Sequence, residues 1–165
     1  MFERLKSLFR KRLPSPSDDR DRRLHADVAA HGCHVIKVLR SDSRPAFAYS
    51  IGLYHNFAHP EILVVGLDLD LMHRLINDMR DQIRLGTQFR AGSRSSVILT
   101  GLDCEFRSVA LSNYRDLFGC ARWFYGGDHF PAIQCVWPDR QGHFPGSADF
   151  DPTFCDLEPT YERSG

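Results

Sequence analysis

Residues 47–67, FAYSIGLYHNFAHPEILVVGL, place side chains that can exchange protons between two apolar segments. Tyr49 lies in the first segment, and His59 and Glu61 stand at the start of the second. A histidine titrates near neutral pH, and a neighbouring carboxylate can hold one tautomer of its ring. Residues i and i+2 of an extended segment point to the same side. One interpretation therefore makes His59 a general acid or base, Glu61 its orienting partner and Tyr49 a hydrogen-bond donor.

The alternative interpretation of these residues is structural. His59 would then cap the loop, and Glu61 would form a surface salt bridge. The residues alone favour neither interpretation over the other.

His55 and His59 are four residues apart, a spacing that on a helix would place both imidazoles on one face, as in zinc proteases. Pro60 disfavours helical geometry at His59, and no glutamate lies between the two histidines in the protease pattern. A metal site would need a further ligand from His73, Glu61 or Asp128. We therefore predict no metal site.

A second group of candidate residues lies in 122–139, RWFYGGDHFPAIQCVWPD, which is rich in aromatic side chains. Large amphipathic rings line many ligand pockets and are equally common in cores. Phe124 and Phe130 are expected in the core. The wall of a ligand or cofactor pocket, with His55 beside it, is predicted to come from Trp123, Tyr125, Gln134 and Trp137.

The elements that position these residues alternate irregularly between helix and strand. Helices are predicted at 23–32, 68–86 and 113–125, and strands at 33–40, 46–54, 61–67, 97–111 (two strands broken near Gly101, or one bulged strand) and 130–138. Two connections between strands are too short for a crossover helix. The pattern predicts an α+β fold with a mainly antiparallel sheet and flanking helices.

The chain divides into three regions by composition. Residues 1–17 are predicted to form a short basic amphipathic helix (1–13) and a linker, residues 18–145 a single α+β domain, and residues 146–165 an acidic tail. The helix is expected to pack on its own domain or fray. The alternative is contact with a membrane surface or a partner.

Composition also bounds the function. The formal net charge is zero, which gives no global field for nucleic acid, and no apolar run approaches the ~20 residues that cross a bilayer. Five cysteines without a C-x-x-C pair indicate a reducing cytoplasm. The sequence contains no G-x-S-x-G motif, so hydrolysis through a covalent intermediate is disfavoured.

Several motifs together resemble a known family. HGCHVIKV, FAYSIGL, HPEILVVGL, LIND, WFYGGDHFPAIQCVWPD and GHFP occur in the order found in the bacterial family known as domain of unknown function 4262, over roughly residues 31–145. The resemblance implies a cytoplasmic bacterial protein with a shared site, and it carries no reaction or cofactor. It favours a functional site over purely structural roles. The matching positions are His31, His34, Tyr49, Gly52, His59, Pro60, Glu61, Tyr125, Gln134, Trp137, Pro138 and Asp139. Gly146 departs from the pattern, where an aromatic residue is expected.

The order of elements in 46–76 is also similar to that in flavin-reductase-like split barrels, which bind FMN. This likeness makes a six-stranded split barrel one arrangement of the predicted sheet. Fold likeness alone does not transfer function.

Three functions therefore follow as hypotheses. The first is a small cytoplasmic domain that binds a small molecule, or catalyses acid–base chemistry, at a His/Glu/Tyr/aromatic pocket. The second is a non-catalytic protein that binds a protein partner, such as an immunity, antitoxin or adaptor protein. The third is an FMN-binding protein. The sequence indicates no particular cofactor and no oligomeric state.

Overall fold

A computed structural model describes residues 12–162 of the chain. The predicted basic helix at 1–13 therefore falls almost entirely outside the described residues. The described part contains helices α1 (Asp19–His31), α2 (Leu53–Phe57), α3 (Leu69–Arg84), α4 (Tyr114–Leu117) and α5 (Gly119–Tyr125). Its strands are β1 (His34–Val38), β2 (Phe47–Ile51), β3 (Glu61–Val65), β4 (Arg94–Leu99), β5 (Leu102–Ser108) and β6 (Ala132–Val136). Among these residues, no helix combines the length and apolar character needed to cross a membrane.

The six strands form one mixed sheet in the order β1-β2-β3-β6-β5-β4. Four neighbouring pairs are antiparallel, and the central pair, β3 with β6, is parallel. The α+β class, the six strands and the flanking helices are confirmed. The predicted sheet is mainly antiparallel, as observed, and the parallel central pair makes it mixed, because the chain between β3 and β6 crosses back over the sheet before β6 enters beside β3.

The predicted split barrel is wrong. β1 and β4 lie at opposite edges of the sheet and do not pair with each other, so the sheet stays open. The similarity to flavin-reductase-like proteins rested on the order of elements, and the open sheet removes that argument for FMN.

A separate apolar core covers each face of the sheet. Helix α3 packs Met72, Ile76, Met79 and Ile83 against alternate strand residues such as Ile62 and Val64. The opposite face packs Leu24 and Val28 of α1 with the aromatic side chains of α4 and α5. The alternation of side chains along β2 and β3 supplies both cores, which is why these strands are buried throughout.

Side chains cap helix α1 at both ends. Asp18 accepts a hydrogen bond from the Asp21 N–H at the N-terminus (2.8 Å), and Asn56 donates to the Val28 and Gly32 carbonyls at the other end (2.9 Å each). Gly32 ends the helix with a φ of 91°, a left-handed conformation that favours glycine. The chain then turns directly into β1, which fixes the end of α1 beside that strand.

Residues 157–162, the C-terminal strap, lie along β6. Trp137 N–H donates to the Glu158 carboxyl (2.7 Å), and the Gln134 amide donates to the Pro159 carbonyl (3.0 Å) and accepts from Tyr161 N–H (3.2 Å). A Cβ at Gly66 would lie 1.9 Å from the Leu157 carbonyl oxygen, so the strap passes directly over the end of β3. The packed chain thus continues well beyond residue 145.

Candidate functional site

Glu61 is fully buried and caps the N-terminus of α2. Its carboxylate accepts hydrogen bonds from the N–H groups of Gly52 (2.9 Å) and Tyr54 (3.1 Å) and from the hydroxyls of Ser50 and Tyr125. Burial raises the pKa of Glu61, and these donors oppose that shift. Four donors engage the carboxylate, so its role in the fold is that of a helix cap supplied by a neighbouring strand.

His59 is also fully buried and is bonded at both ring nitrogens. Nδ1 lies 2.7 Å from the Pro60 carbonyl oxygen, and Nε2 accepts from the Phe89 N–H at 3.0 Å. These partners require a neutral ring with the proton on Nδ1. Burial lowers the pKa of His59, which favours the same neutral form. The imidazole therefore joins the β2–β3 connection to the segment before β4.

Tyr49 lies elsewhere, in the core beneath α5. Its ring packs edge-on against Phe118, and its hydroxyl accepts from the Cys120 N–H at 3.3 Å. Burial raises its pKa. The three predicted catalytic side chains thus have separate hydrogen-bond partners, and none is more than 2% exposed. The structure does not bring them together on a shared cleft.

The predicted pocket wall is divided in the same way. The Tyr125 hydroxyl donates to Glu61, Gln134 binds the C-terminal strap, and the Trp137 indole N–H donates to the Val65 carbonyl (2.7 Å). These three side chains hold elements of the fold together. Trp123 is the exception, because it is half-buried and lines an open cleft.

The polar character of the β2–β3 connection has a structural explanation in these contacts. Gly52 has a φ of 113°, and a Cβ there would lie 2.9 Å from a Val28 methyl carbon, so only glycine lets α1 approach this closely. Helix α2 follows, with Glu61 at its start and Asn56 bound to the end of α1. The motif therefore builds a short helix that docks α1 onto the sheet.

A different histidine, His34, lies at the edge of the sheet. His34, the first residue of β1, has its Nδ1 2.7 Å from the Asp27 Oδ2 of α1. The His34 side chain is 20% exposed and that of Asp27 35% exposed, so solvent reaches the pair. No described residue forms a hydrogen bond with His34 Nε2. An aspartate at Nδ1 holds the proton there and leaves Nε2 as the basic nitrogen.

His34 lines two neighbouring clefts. The first, which we call the α1 cleft, has a volume of about 550 Å³ and lies between the N-terminal half of α1, β1 and the start of α5. It is lined by Ser17, Asp18, Asp19, Arg20, Asp21, Arg23, Leu24, His34, Ile36, Gly119, Cys120 and Trp123. Its size suits a small organic molecule.

The second, the edge cleft, has a volume of about 300 Å³ and lies between α1 and α3 across the edge of β1. It is lined by Asp27, His31, Cys33, His34, Val35, His73, Asn77 and Arg80. Burial, with added repulsion from Lys37, lowers the pKa of His73. Burial raises the pKa of the Cys33 thiol to about 12, so Cys33 is not a thiolate nucleophile at neutral pH. Within residues 12–162, no cluster of three or more histidine, cysteine or acidic side chains has the geometry to hold a metal ion.

Sequence reasoning recognised His34 as a position matching the family, without placing it in a site, and did not select Asp27. The available signal was LHADVAAHGCH, in which Leu24, Asp27, Val28 and His31 share the face of α1 that Gly32 turns towards β1. The pairing itself spans seven residues across a helix–strand turn, so it depends on the angle at which α1 docks.

The fold and the site together define an α+β domain with an open mixed sheet and a histidine–aspartate pair in a cleft beside its edge. The family model described as Domain of unknown function (DUF4262) matches residues 27–151, and the chain belongs to this family. The match begins at Asp27 and includes His34. No curated protein and no solved structure shows a significant match to the chain.

Proposed function

We propose that this chain is a small-molecule-binding domain whose site is centred on His34, and that the Asp27–His34 pair can move a proton to or from the bound molecule. The observation that carries the proposal is the 2.7 Å contact between Asp27 Oδ2 and His34 Nδ1. Solvent reaches this pair, and His34 lines both clefts, whereas Asp27 lines the edge cleft alone. It combines an oriented imidazole with space for a ligand beside it.

The chemistry available to this pair is proton transfer. His34 Nε2 would take a proton from a hydroxyl, an amine or an acidic C–H of the ligand, and the Asp27 carboxylate would stabilise the imidazolium that forms. The same arrangement also supports binding alone, with Nε2 accepting a ligand hydrogen bond. Both readings place the ligand in the α1 cleft, because Trp123, Leu24 and Ile36 supply its apolar contact there.

The proposal is tested by screening metabolites for those that raise the melting temperature of the full chain. Compounds that stabilise the wild type are expected to lose most of their effect with His34→Ala and part of it with Asp27→Asn. His129→Ala is the matched control, since His129 is exposed and lines neither cleft.

A set of hits that stabilises His34→Ala as strongly as the wild type would show that the site lies elsewhere. Circular dichroism of each variant checks that the fold is retained. His59→Ala is expected to lower the melting temperature without abolishing the shift caused by a ligand, because His59 lies outside both clefts.

A further inference from the structure

The charged side chains around the α1 cleft differ in whether they already have partners. Asp18 accepts from the Asp21 N–H, Asp19 pairs with Arg22, and Asp21 accepts from both the N–H and the hydroxyl of Ser17 (2.9 and 2.6 Å). The carboxylates that line the cleft are thus engaged within the protein.

The two arginines that line the cleft are not engaged in this way. Arg20 and Arg23 are exposed, and neither forms an ion pair or hydrogen bond with any residue in the part of the chain that the structure describes. They are three residues apart on α1, so their side chains leave the helix on the same face. A guanidinium group presents a planar set of donors that matches a carboxylate or a phosphate.

The wall between the arginines and His34 is apolar. Leu24 of α1, Ile36 of β1 and Trp123 of α5 line the same cleft. Arg20 and Arg23 precede Asp27 by seven and four residues, which along a helix is roughly 6 to 10 Å. A ligand that reaches from the guanidinium groups to His34 must span about that distance over an apolar surface.

We infer that the α1 cleft takes a small organic anion, whose carboxylate or phosphate binds Arg20 and Arg23, whose aromatic or apolar body packs on Trp123, and whose polar end reaches His34. This inference rests on the proposed function and adds the ligand class to it. The competing reading is a cationic ligand attracted by Asp18, Asp19 and Asp21, and the experiment separates the two.

The probe is 6-hydroxy-2-naphthoate, which carries a carboxylate and a hydroxyl at opposite ends of an aromatic body. Its binding to the full chain is measured by calorimetry and compared with that of 6-hydroxy-2-naphthyl phosphate, the neutral 6-hydroxy-2-naphthamide and the cationic 6-(aminomethyl)-2-naphthol. The chain has two tryptophans, and Trp137 is bonded in the core, so the indole N–H signal of Trp123 reports on the cleft by NMR.

At least one of the two anions is expected to bind roughly tenfold to a hundredfold more tightly than the amide, the range of a hydrogen bond to a charged group. Whichever of the two binds more tightly identifies carboxylate or phosphate as the preferred group. Arg20→Gln and Arg23→Gln are each expected to remove most of this advantage. Arg22→Gln is the matched control, because Arg22 lies on the same helix, pairs with Asp19 and does not line the cleft.

Binding of both anions no tighter than that of the amide, tighter binding of the amine, or an equal loss with Arg22→Gln would each overturn the anion assignment. His34→Ala then separates the two proposals. If the amide or amine binds and His34→Ala abolishes that binding, the His34 site stands and the ligand class is wrong. If no probe binds, the ligand class is wrong, and the metabolite screen decides on the His34 site. If a probe binds and His34→Ala leaves its affinity unchanged, both proposals are wrong.

Discussion

His34 and His59 differ in how many of their ring nitrogens already have a hydrogen-bond partner in the protein. Both nitrogens of His59 are bonded to backbone groups of the protein, and the ring is fully buried. His34 has a carboxylate at one nitrogen and no described partner at the other. A sequence shows that both are histidines near apolar strands. It does not show how many of their hydrogen-bonding positions the fold has already used, and that number decides which one can meet a ligand.

His59 is expected to make stability depend on pH below neutrality. Its folded pKa is lowered from 6.5, so the unfolded chain binds the proton more tightly. Its contribution to the free energy of unfolding is therefore complete above pH 6.5 and is lost as the pH falls below that value. Urea denaturation between pH 8 and pH 5 should show a steeper loss for the wild type than for His59→Gln.

His59→Gln should also be less stable at pH 8, by about 1–3 kcal/mol, if the Phe89 N–H is left without a well-placed acceptor. His129→Gln serves as the control, and its profile should follow that of the wild type because His129 is exposed. A wild-type curve parallel to that of His59→Gln across this range would contradict the account of a buried neutral ring.

At the scale of elements, the local sequence pattern was enough to predict the helices and strands that bury a long periodic face. The apolar repeat of α3 and its capping aspartate predict its bounds closely, and the strands at 33–40, 46–54, 61–67 and 130–138 each contain an observed strand. One predicted helix at 113–125 is instead two helices, since Phe118 between them leaves helical geometry with a ψ of 38°.

Helix α2 was not predicted, and its contacts explain why. It has five residues, too few to be stable alone, and its N-terminus is capped by a glutamate that follows it in the next strand. Its last turn also contributes Asn56, which binds the end of α1. Such a helix is specified by contacts between elements, which a local reading of the sequence does not contain.

Removing the Glu61 cap is expected to destabilise the region around α2. Glu61→Gln replaces an acceptor by an amide N–H₂ group that faces donors, which should lower the free energy of unfolding by about 1–3 kcal/mol. Tyr125→Phe removes only one of the donors and should have a smaller effect, about 1 kcal/mol. Hydrogen exchange at the N–H groups of Gly52 and Tyr54 is the direct measurement.

The exchange of Gly52 and Tyr54 should accelerate in Glu61→Gln more than that of β5, whose strand pairing does not involve this cap. A Glu61→Gln protein with unchanged exchange at these two positions would contradict the capping role.

At the scale of the whole molecule, the C-terminal strap binds the two halves of the sheet. It crosses the end of β3 at Gly66, bonds along β6 through Gln134, and reaches β5 where Arg107 pairs with Glu162. Composition alone indicated an acidic tail here. The strap packs on the sheet in spite of its acidic composition because Glu158 is buried. Burial raises the pKa of Glu158 to about 9, so its carboxyl group is protonated at neutral pH and adds no charge to the core.

Glu158 is expected to make the chain less stable as the pH rises. Its folded pKa of about 9 lies above the ordinary 4.5, so its contribution is complete below pH 4.5 and is lost progressively up to about pH 9. Glu158→Gln keeps an acceptor for the Trp137 N–H without an ionisable group. Between pH 6 and pH 9 the free energy of unfolding of the wild type should therefore fall relative to that of Glu158→Gln.

Glu162→Gln is the matched control in the same strap, because it removes a partly exposed carboxylate that pairs with Arg107. Its unfolding curves should keep the wild-type dependence on pH in this range. Equal pH dependence for Glu158→Gln and the wild type would show that the buried carboxyl is not protonated in the folded chain.

The parallel contact between β3 and β6 has a consequence for how the chain is made. Residues 61–65 leave the ribosome long before residues 132–136, yet β3 can complete its hydrogen bonding only with β6. The nascent three-stranded unit β1-β2-β3 therefore carries an apolar strand with one open edge throughout that interval. The growing polypeptide is most vulnerable to aggregation during the synthesis of the 66 residues between the two strands, and chaperone binding in this window would act on β3 first.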